Sequence, residues 1–202
     1  MVSRVYVEKK SGFDVEAQQL AHELREILGV AGLTGLRIIN RYDAEGMGDK
    51  LFEACVQTVF SEPQTDVTYR ELPDAGDAVV FAVEALPGQF DQRADSASQC
   101  IQLISQGKRP EVRSAKVYVL EGALSAEDVA TVKRYVINPV EAREASLAPV
   151  GTLAQEFPEP DPVERIDGFR ELDAQALEAF IADRGLAMDA ADIAFCQQYF
   201  RD

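Results

Sequence analysis

The stretch that decides the fold is Leu86-Pro-Gly-Gln-Phe-Asp-Gln-Arg-Ala-Asp-Ser-Ala-Ser-Gln-Cys100. It follows the apolar run Ala78-Val-Val-Phe-Ala-Val83, which indicates a strand, and a Pro-Gly turn separates the two. After the turn, apolar residues at helical spacing predict a helix over Asp91–Ser105, buried through Ala94, Ala97, Ile101 and Ile104. A strand that leads into a polar helix start is a common place for a binding surface, because the first N–H groups of the helix point outward.

The same strand-to-helix junction occurs once earlier in the chain. Its matched positions indicate a tandem duplication, at an offset that grows by one residue between the strand and the helix. The matches are Val7-Glu8 with Val83-Glu84, Phe13-Asp14 with Phe90-Asp91, Ala17 with Ala94, Leu24 with Ile101, and Ile27 with Ile104. We therefore expect an α+β fold in which each half has an antiparallel sheet with helices on one face. The two sheets would meet as a pseudo-dimer.

Alternating and helical patterns predict the elements of both halves. The strands are expected at Arg4–Lys9, Leu36–Tyr42, Asp66–Leu72, Ala78–Glu84, Val112–Leu120 and within Ile137–Ala145. The other helices are expected after Asp14, a candidate N-cap, over Asp49–Phe60, and after Ser125. Ser125 and Asp128 form a capping-box-like start in which Asp replaces the usual Glu or Gln.

The texture of the sequence divides the chain into three parts. Residues 1–146 form the repeated domain, and residues 147–166, with four prolines among acidic residues, are expected to be an extended linker. Residues 167–202 contain two predicted helices, Asp173–Asp183 and Asp189–Phe200. Because such a pair buries too little apolar surface to be stable alone, we expect it to be the start of a helical domain in a longer chain.

Composition narrows the class of protein. The 47% hydrophobic and 27% charged residues are typical of a globular protein, and the net charge of -15 disfavours nucleic acid and anionic membranes as partners. No apolar run is long enough to span a membrane, and no targeting segment is evident. The three cysteines, Cys55, Cys100 and Cys196, are interpreted as reduced core thiols of a cytoplasmic protein.

No residue pattern predicts a reaction. His22 is the single histidine and has no plausible catalytic partner, so it is interpreted as a boundary side chain of the first helix. Gly46-Met-Gly48 matches neither phosphate-loop nor dinucleotide fingerprints, and is interpreted as a turn. We therefore assign no catalytic residue and no metal ligand.

Two polar stretches are candidates for contact with another domain. In Phe90–Ser98, Arg93 could pair with Asp95 or reach a partner, while the small residues beneath let another element approach closely. The second stretch is Tyr135–Glu144, where Asn138-Pro139 stops a helix. A plain structural corner remains the alternative for both. The candidate interface residues are Phe90, Asp91, Arg93, Asp95, Ser96, Asn138, Glu141 and Arg143.

Several segments resemble a known family. They are Val5-Tyr-Val-Glu-Lys-Lys-Ser-Gly-Phe-Asp14, Ile39-Asn-Arg-Tyr42, Phe60-Ser-Glu-Pro63, Leu86 to Ile101, Tyr135-Val-Ile-Asn-Pro-Val-Glu-Ala-Arg-Glu-Ala-Ser146 and Gly185-Leu-Ala-Met-Asp189. Across nearly its whole length the chain resembles the N-terminal part of the large single-chain phosphoribosylformylglycinamidine synthase of purine biosynthesis. In that family the N-terminal domain is similar to a tandem fusion of two PurS-type subunits, and a helical linker domain follows.

The resemblance implies a role within a larger ligase. The family's whole enzyme is a glutamine amidotransferase that uses ATP and Mg to convert formylglycinamide ribonucleotide to formylglycinamidine ribonucleotide. The synthetase and glutaminase domains that do this chemistry are not in this sequence, so no cofactor is expected here. The implied function is non-catalytic docking of those two domains for ammonia transfer. The alternative is a free-standing ferredoxin-like module that binds a small ligand or a regulator.

Overall fold

The computed structural model describes residues 1–155 and 159–201. The chain divides into two compact units, Met1–Gln155 and Glu156–Asp202. Residues 147–155 of the predicted linker therefore lie in the first unit. Residues 156–158 of that linker, and residue 202, lie outside the described residues.

The first unit contains six strands and four helices. The strands are β1 Val2–Lys9, β2 Leu33–Glu45, β3 Asp66–Tyr69, β4 Val79–Ala85, β5 Glu111–Gly122 and β6 Ala142–Ala145. The helices are α1 Val15–Glu26, α2 Asp49–Cys55, α3 Gln92–Ser105 and α4 Ala126–Val136, and a π-helical turn over Val56–Phe60 extends α2. The predicted helix over Asp49–Phe60 is thus present, with its last turn wound more widely.

All six strands pair antiparallel in one open sheet with the order β3-β1-β2-β5-β4-β6. The expected α+β class is confirmed. The two expected sheets are joined edge to edge, because β2 and β5 pair along almost their full lengths. Both strands run further than their alternating patterns predicted, since ladder hydrogen bonds carry the pairing into the polar ends at Glu45 and Glu111.

The strand order and the pairing register are symmetric about the β2–β5 pair. Ser3 pairs with Ala44, and Val79 pairs with Leu120; 79 − 3 and 120 − 44 are both 76. Tyr6 pairs with Tyr69, and Ala82 pairs with Ala145, again 76 positions further along both strands. Each outer strand pair therefore has a counterpart in the other half at one fixed offset.

One face of the sheet carries the helices, which pack in two clusters of mixed origin. Ala17, Ala21 and Leu24 of α1 share a cluster with Phe81 of β4 and Tyr118 of β5. In the other cluster, α3 packs with residues of α2, β1 and β2 through Ala94, Ala97 and Ile101. The first helix of each half thus shares its core with strand residues of the other half.

The opposite face carries an apolar cluster without helical members, built around Ile39, Ala82, Val117 and Val119. Residues 146–153, which we call the strap, are bound to side chains of this face through main-chain atoms. Arg41 Nη1 donates to the Ser146 carbonyl at 2.6 Å, and Arg4 Nη1 donates to the Leu147 carbonyl at 3.0 Å. The strap is therefore part of the domain, and the expectation of an extended linker starting at residue 147 is wrong for this segment.

A second anchor holds the far end of the strap. Glu45 accepts hydrogen bonds from the Leu153 N–H at 2.7 Å and from Thr152 Oγ1 at 3.1 Å. Arg113 donates to the Leu153 carbonyl. Leu153 itself is buried, so apolar contact and main-chain hydrogen bonds act together.

Several local predictions are tested by these contacts. The Ser125–Asp128 capping box is confirmed, with both reciprocal hydrogen bonds present. Asp14 lies at the N-cap position but does not cap α1, because its carboxylate accepts from Gly12 N and Gln18 Nε2 instead. Ile104 and Cys100 were expected in the core and are exposed. Cys55 is buried as expected.

The second unit contains a 3-10 turn at Phe169–Glu171 and two helices, α5 Ala174–Arg184 and α6 Ala190–Arg201. Asp173 caps α5 by accepting from the Ala176 N–H, and Asp189 accepts from the Asp192 N–H at the start of α6. Gln197 is buried and donates to the Phe169 and Leu172 carbonyls, tying α6 to the turn. Within residues 1–155 and 159–201, no helix is long and apolar enough to cross a membrane.

Candidate docking surface

Asp91 fixes the start of α3 on the sheet. Its carboxylate accepts from the Ala94 N–H at 2.9 Å, which makes it the N-cap of the helix. The same carboxylate accepts from Ser114 N at 3.0 Å and from Ser114 Oγ at 2.8 Å on β5. Because its acceptor sites are used inside the domain, Asp91 serves as a structural corner that positions its neighbours.

The two stretches singled out in the sequence meet in space, although about 50 residues separate them. Leu86 N donates to the Glu141 carbonyl at 2.9 Å, and Gln89 Nε2 donates to the Val140 carbonyl at 3.3 Å. Asn138 closes the second turn by accepting from the Val140 N–H at 3.2 Å. The turns are thereby held side by side as one surface.

Two large apolar side chains project from this pair of turns. Phe90 is 74% exposed and Val140 is 71% exposed. Exposed apolar side chains are ordinary when single, but two on adjacent, hydrogen-bonded turns mark a contact surface. We call Phe90 and Val140, with the turns that carry them, the turn surface.

A groove of ≈ 660 Å³ lies beside the turn surface on the helix-bearing face. Phe90, Asp91, Arg93 and Glu141 line it, together with Lys116, Tyr118 and Val136. Four of the eight predicted interface residues are therefore brought to one groove. Burial, with a smaller contribution from the Glu16 carboxylate, raises the pKa of Tyr118 to about 12.

Asp95 does not pair with Arg93, which corrects one of the two expected roles of Arg93. Asp95 forms an ion pair with Arg109 from the far end of α3 and accepts from Gln99 Nε2 at 2.6 Å. Arg93 instead donates to the Tyr42 hydroxyl at 3.2 Å. In residues 1–155 and 159–201 no carboxylate forms an ion pair with Arg93, so its charge is not compensated locally.

Ser96 and Arg143 lie apart from the turn surface. Ser96 lines a neighbouring groove with Tyr42 and Arg93. Arg143 lies on β6 directly opposite Glu84 and forms an ion pair with it at 2.8 Å. Glu84 alternates with Ala82, which belongs to the helix-free cluster, so this ion pair lies on the opposite face of the sheet.

Sequence reasoning missed the two tyrosines that lie in the grooves, Tyr42 and Tyr118. They are related by the same offset of 76 that relates the paired strands, since 118 − 42 is 76. Each belongs to an apolar alternation, so each was interpreted as a core residue of its strand. The signal that could have found them is this repeat offset applied to the strands rather than to the helix starts.

Over the described ranges, no group of three or more His, Cys, Asp and Glu side chains could hold a metal ion. The three cysteines are free thiols in three different settings, Cys55 buried, Cys196 partly buried and Cys100 exposed.

Comparison with known proteins adds no family assignment. No protein-family profile matches the chain, and no curated protein matches its sequence. The fold and the surface together define an α+β domain with an open antiparallel sheet, whose exposed apolar and cationic side chains concentrate around the start of α3.

Proposed function

We propose that this chain is the non-catalytic assembly region of a phosphoribosylformylglycinamidine synthase, which docks the synthetase and glutaminase domains for ammonia transfer. The observation that carries the proposal is the turn surface, where Phe90 and Val140 are held exposed by hydrogen bonds between two turns. The family assignment rests on the sequence resemblance. The proposal places ATP and Mg in the synthetase domain and the protein in the cytoplasm.

The symmetry of the sheet supports a tandem PurS-like repeat as part of this proposal. The fixed offset of 76 relates the strand pairs of the two halves. In the helices the offset is 77, and the buried positions still correspond: Ala17 with Ala94, Ala21 with Ser98, and Leu24 with Ile101. An arrangement that repeats in order, register and burial is the expected result of duplication and fusion.

Physical chemistry favours docking over catalysis for the turn surface. Burying a side chain such as Phe or Val in a contact gains about 1.5–3 kcal/mol, which the isolated domain forgoes at Phe90 and Val140. Asp91, the most strongly hydrogen-bonded carboxylate nearby, is committed to helix capping and to Ser114. A surface with apolar side chains and no free nucleophile–base pair is suited to binding a protein.

The test compares two phenylalanines at corresponding positions in the full-length enzyme. Phe90→Ser should lower glutamine-dependent synthesis by about tenfold or more while ammonia-dependent synthesis falls less, because ammonia transfer requires docking. Phe13→Ser is the matched control, since Phe13 is also exposed and occupies the equivalent junction of the first half. Wild-type rates with both nitrogen donors for Phe90→Ser would remove the turn surface from the docking interface.

The groove of ≈ 660 Å³ beside the turn surface favours one second candidate, a small-ligand or regulatory binding module. Arg93 and Lys116 could recognise an anionic ligand there. A thermal shift measured with formylglycinamide ribonucleotide, ADP or glutamine separates the two functions. Saturable stabilisation of this chain by one of these compounds would favour the binding module.

A further inference from the structure

Helix α3 presents an unpartnered face beside its buried one. Ser96, Cys100 and Ile104 follow each other at four-residue spacing, which aligns them as one ridge along the helix. All three are exposed, and Ile104 is 52% exposed although it is a large apolar residue. We call these three residues the α3 ridge.

The α3 ridge forms one wall of a groove of ≈ 530 Å³. Val59 of the π-helical turn and Tyr42 of β2 line the groove, and Arg93 lies at its end nearest the start of α3. The Arg93 guanidinium donates to the Tyr42 hydroxyl and retains further N–H donors for another acceptor. In a chain with a net charge of -15, an exposed arginine that no carboxylate pairs with in the described ranges is an unusual positive site.

The corresponding ridge of the first half differs in a way that points to a role for the second. Gln19 and Glu23, 77 positions before Ser96 and Cys100, hydrogen-bond to each other at 3.0 Å. Glu23 also accepts from the Tyr135 hydroxyl of α4 at 3.0 Å. Those longer side chains satisfy each other within the domain. Ser96 and Cys100 are small, and within residues 1–155 and 159–201 neither makes a side-chain hydrogen bond.

We infer that the α3 ridge is the seat of a partner helix that brings one Asp or Glu side chain to Arg93. This inference rests on the proposed function, which supplies the partner as the remaining domains of the enzyme. Small residues at four-residue spacing allow two helix axes to approach to about 8–10 Å by ridge-into-groove packing. Charge complementarity selects an acidic occupant, because Arg93 binds a carboxylate through two parallel N–H···O bonds. Burial of Ile104 by the same helix contributes the apolar part of the contact.

The test measures binding of this 202-residue chain to the separately produced remainder of the enzyme, containing the synthetase and glutaminase domains. Ser96→Phe should weaken binding by about tenfold or more, because the ring occupies the space of the partner helix. Gln19→Phe is the matched control in the first half and should bind like the wild type. Arg93→Glu should weaken binding, and a compensating Glu→Lys or Asp→Lys in the partner helix should restore it.

A second route avoids changes that affect folding. In a Cys196→Ser background, Cys100 is the exposed thiol, and it can be alkylated with a bulky maleimide after the protein has folded. Alkylation should abolish binding if the α3 ridge is occupied. Binding by the wild type together with unchanged affinity of the Ser96→Phe and alkylated proteins would overturn the ridge while leaving the docking function intact. No binding by the wild type would overturn both.

Discussion

Asn40 on β2 lies directly opposite Lys116 on β5, and the two residues are separated by 116 − 40 = 76 positions, the same offset that relates the outer strand pairs. The pair therefore sits on the two-fold axis of the sheet. The two side chains have diverged: Lys116 Nζ pairs with Glu16 at 2.5 Å, whereas the Asn40 Oδ1 is buried without a hydrogen-bond donor in the described residues. Symmetry of the backbone thus coexists with asymmetry of the side chains.

The mixed clusters predict that neither half of the domain folds alone. If residues 1–76 and 77–202 are produced separately, Leu24 of α1 loses Phe81 and Tyr118, and Ile101 of α3 loses Val5 and Tyr42. Each half should lack cooperative thermal unfolding as a monomer, and mixing should restore it. Circular dichroism with size-exclusion chromatography checks this. A cooperatively folded monomer of either half alone would contradict it.

Two isoleucines of α3 provide a matched test of the exposed ridge. Ile101 is fully buried, and Ile101→Ala should lower the free energy of unfolding by about 2–5 kcal/mol. Ile104→Ala removes the same atoms from an exposed site and should cost less than about 1 kcal/mol. Denaturant unfolding measures both. Equal losses would show that Ile104 is covered in the isolated protein.

Asp43 is expected to be the critical carboxylate of the helix-free face. It pairs with Arg4 at 2.5 Å and with Arg41 at 3.1 Å, and all three side chains are nearly buried. Asp43→Asn leaves two buried cations with little compensation, so the free energy of unfolding should fall by about 3–5 kcal/mol. Glu53→Gln, which breaks the exposed pair with Arg70, is the control and should change stability by less than about 1 kcal/mol.

Attachment of the strap is expected to depend on pH. The Leu153 N–H, followed by the Thr152 hydroxyl, lowers the pKa of Glu45 below its usual 4.5. A carboxyl whose pKa is lower in the folded state stabilises that state above the unfolded pKa, and the stabilisation is lost as the pH falls through the folded pKa. The strap should therefore loosen only at acidic pH.

Nuclear magnetic resonance can follow the Leu153 amide to test this. In the wild type its chemical shift should titrate with a midpoint below 4.5, and in Glu45→Gln this titration should disappear. An amide shift in the variant that still titrates like the wild type would assign the pH dependence to another group.

Local chemistry made several features predictable from sequence. Ser125 and Asp128 form a cap wherever they stand at the start of a helix, because the bonds are made within four residues. Alternation located every strand, although β2 and β5 continue past their apolar cores because pairing with a long partner stabilises polar ends. Helical spacing placed Ile104 on the buried side, but no element packs against the last turn of α3, so the residue is exposed.

The candidate surface was predictable only as two separate stretches. Phe90 and Val140 share one surface because Leu86 and Gln89 hydrogen-bond to the carbonyls of Glu141 and Val140. Arg93 and Asp95 looked like partners by proximity in sequence. Positions two apart on a helix point in different directions, so Asp95 meets Arg109 and Arg93 meets Tyr42.

By itself the sequence determined the repeated pattern of strands and helices, the caps and the apolar positions, since these depend on periodicity and on contacts between near neighbours. Tertiary structure decided that the halves join through β2 and β5, and that the strap is bound by Arg4, Arg41 and Glu45. It also decided that Arg93 is left without a carboxylate partner in the described residues. These outcomes depend on which distant residues meet, and a pairing of distant residues is set by the free energy of the whole packed domain rather than by any local pattern.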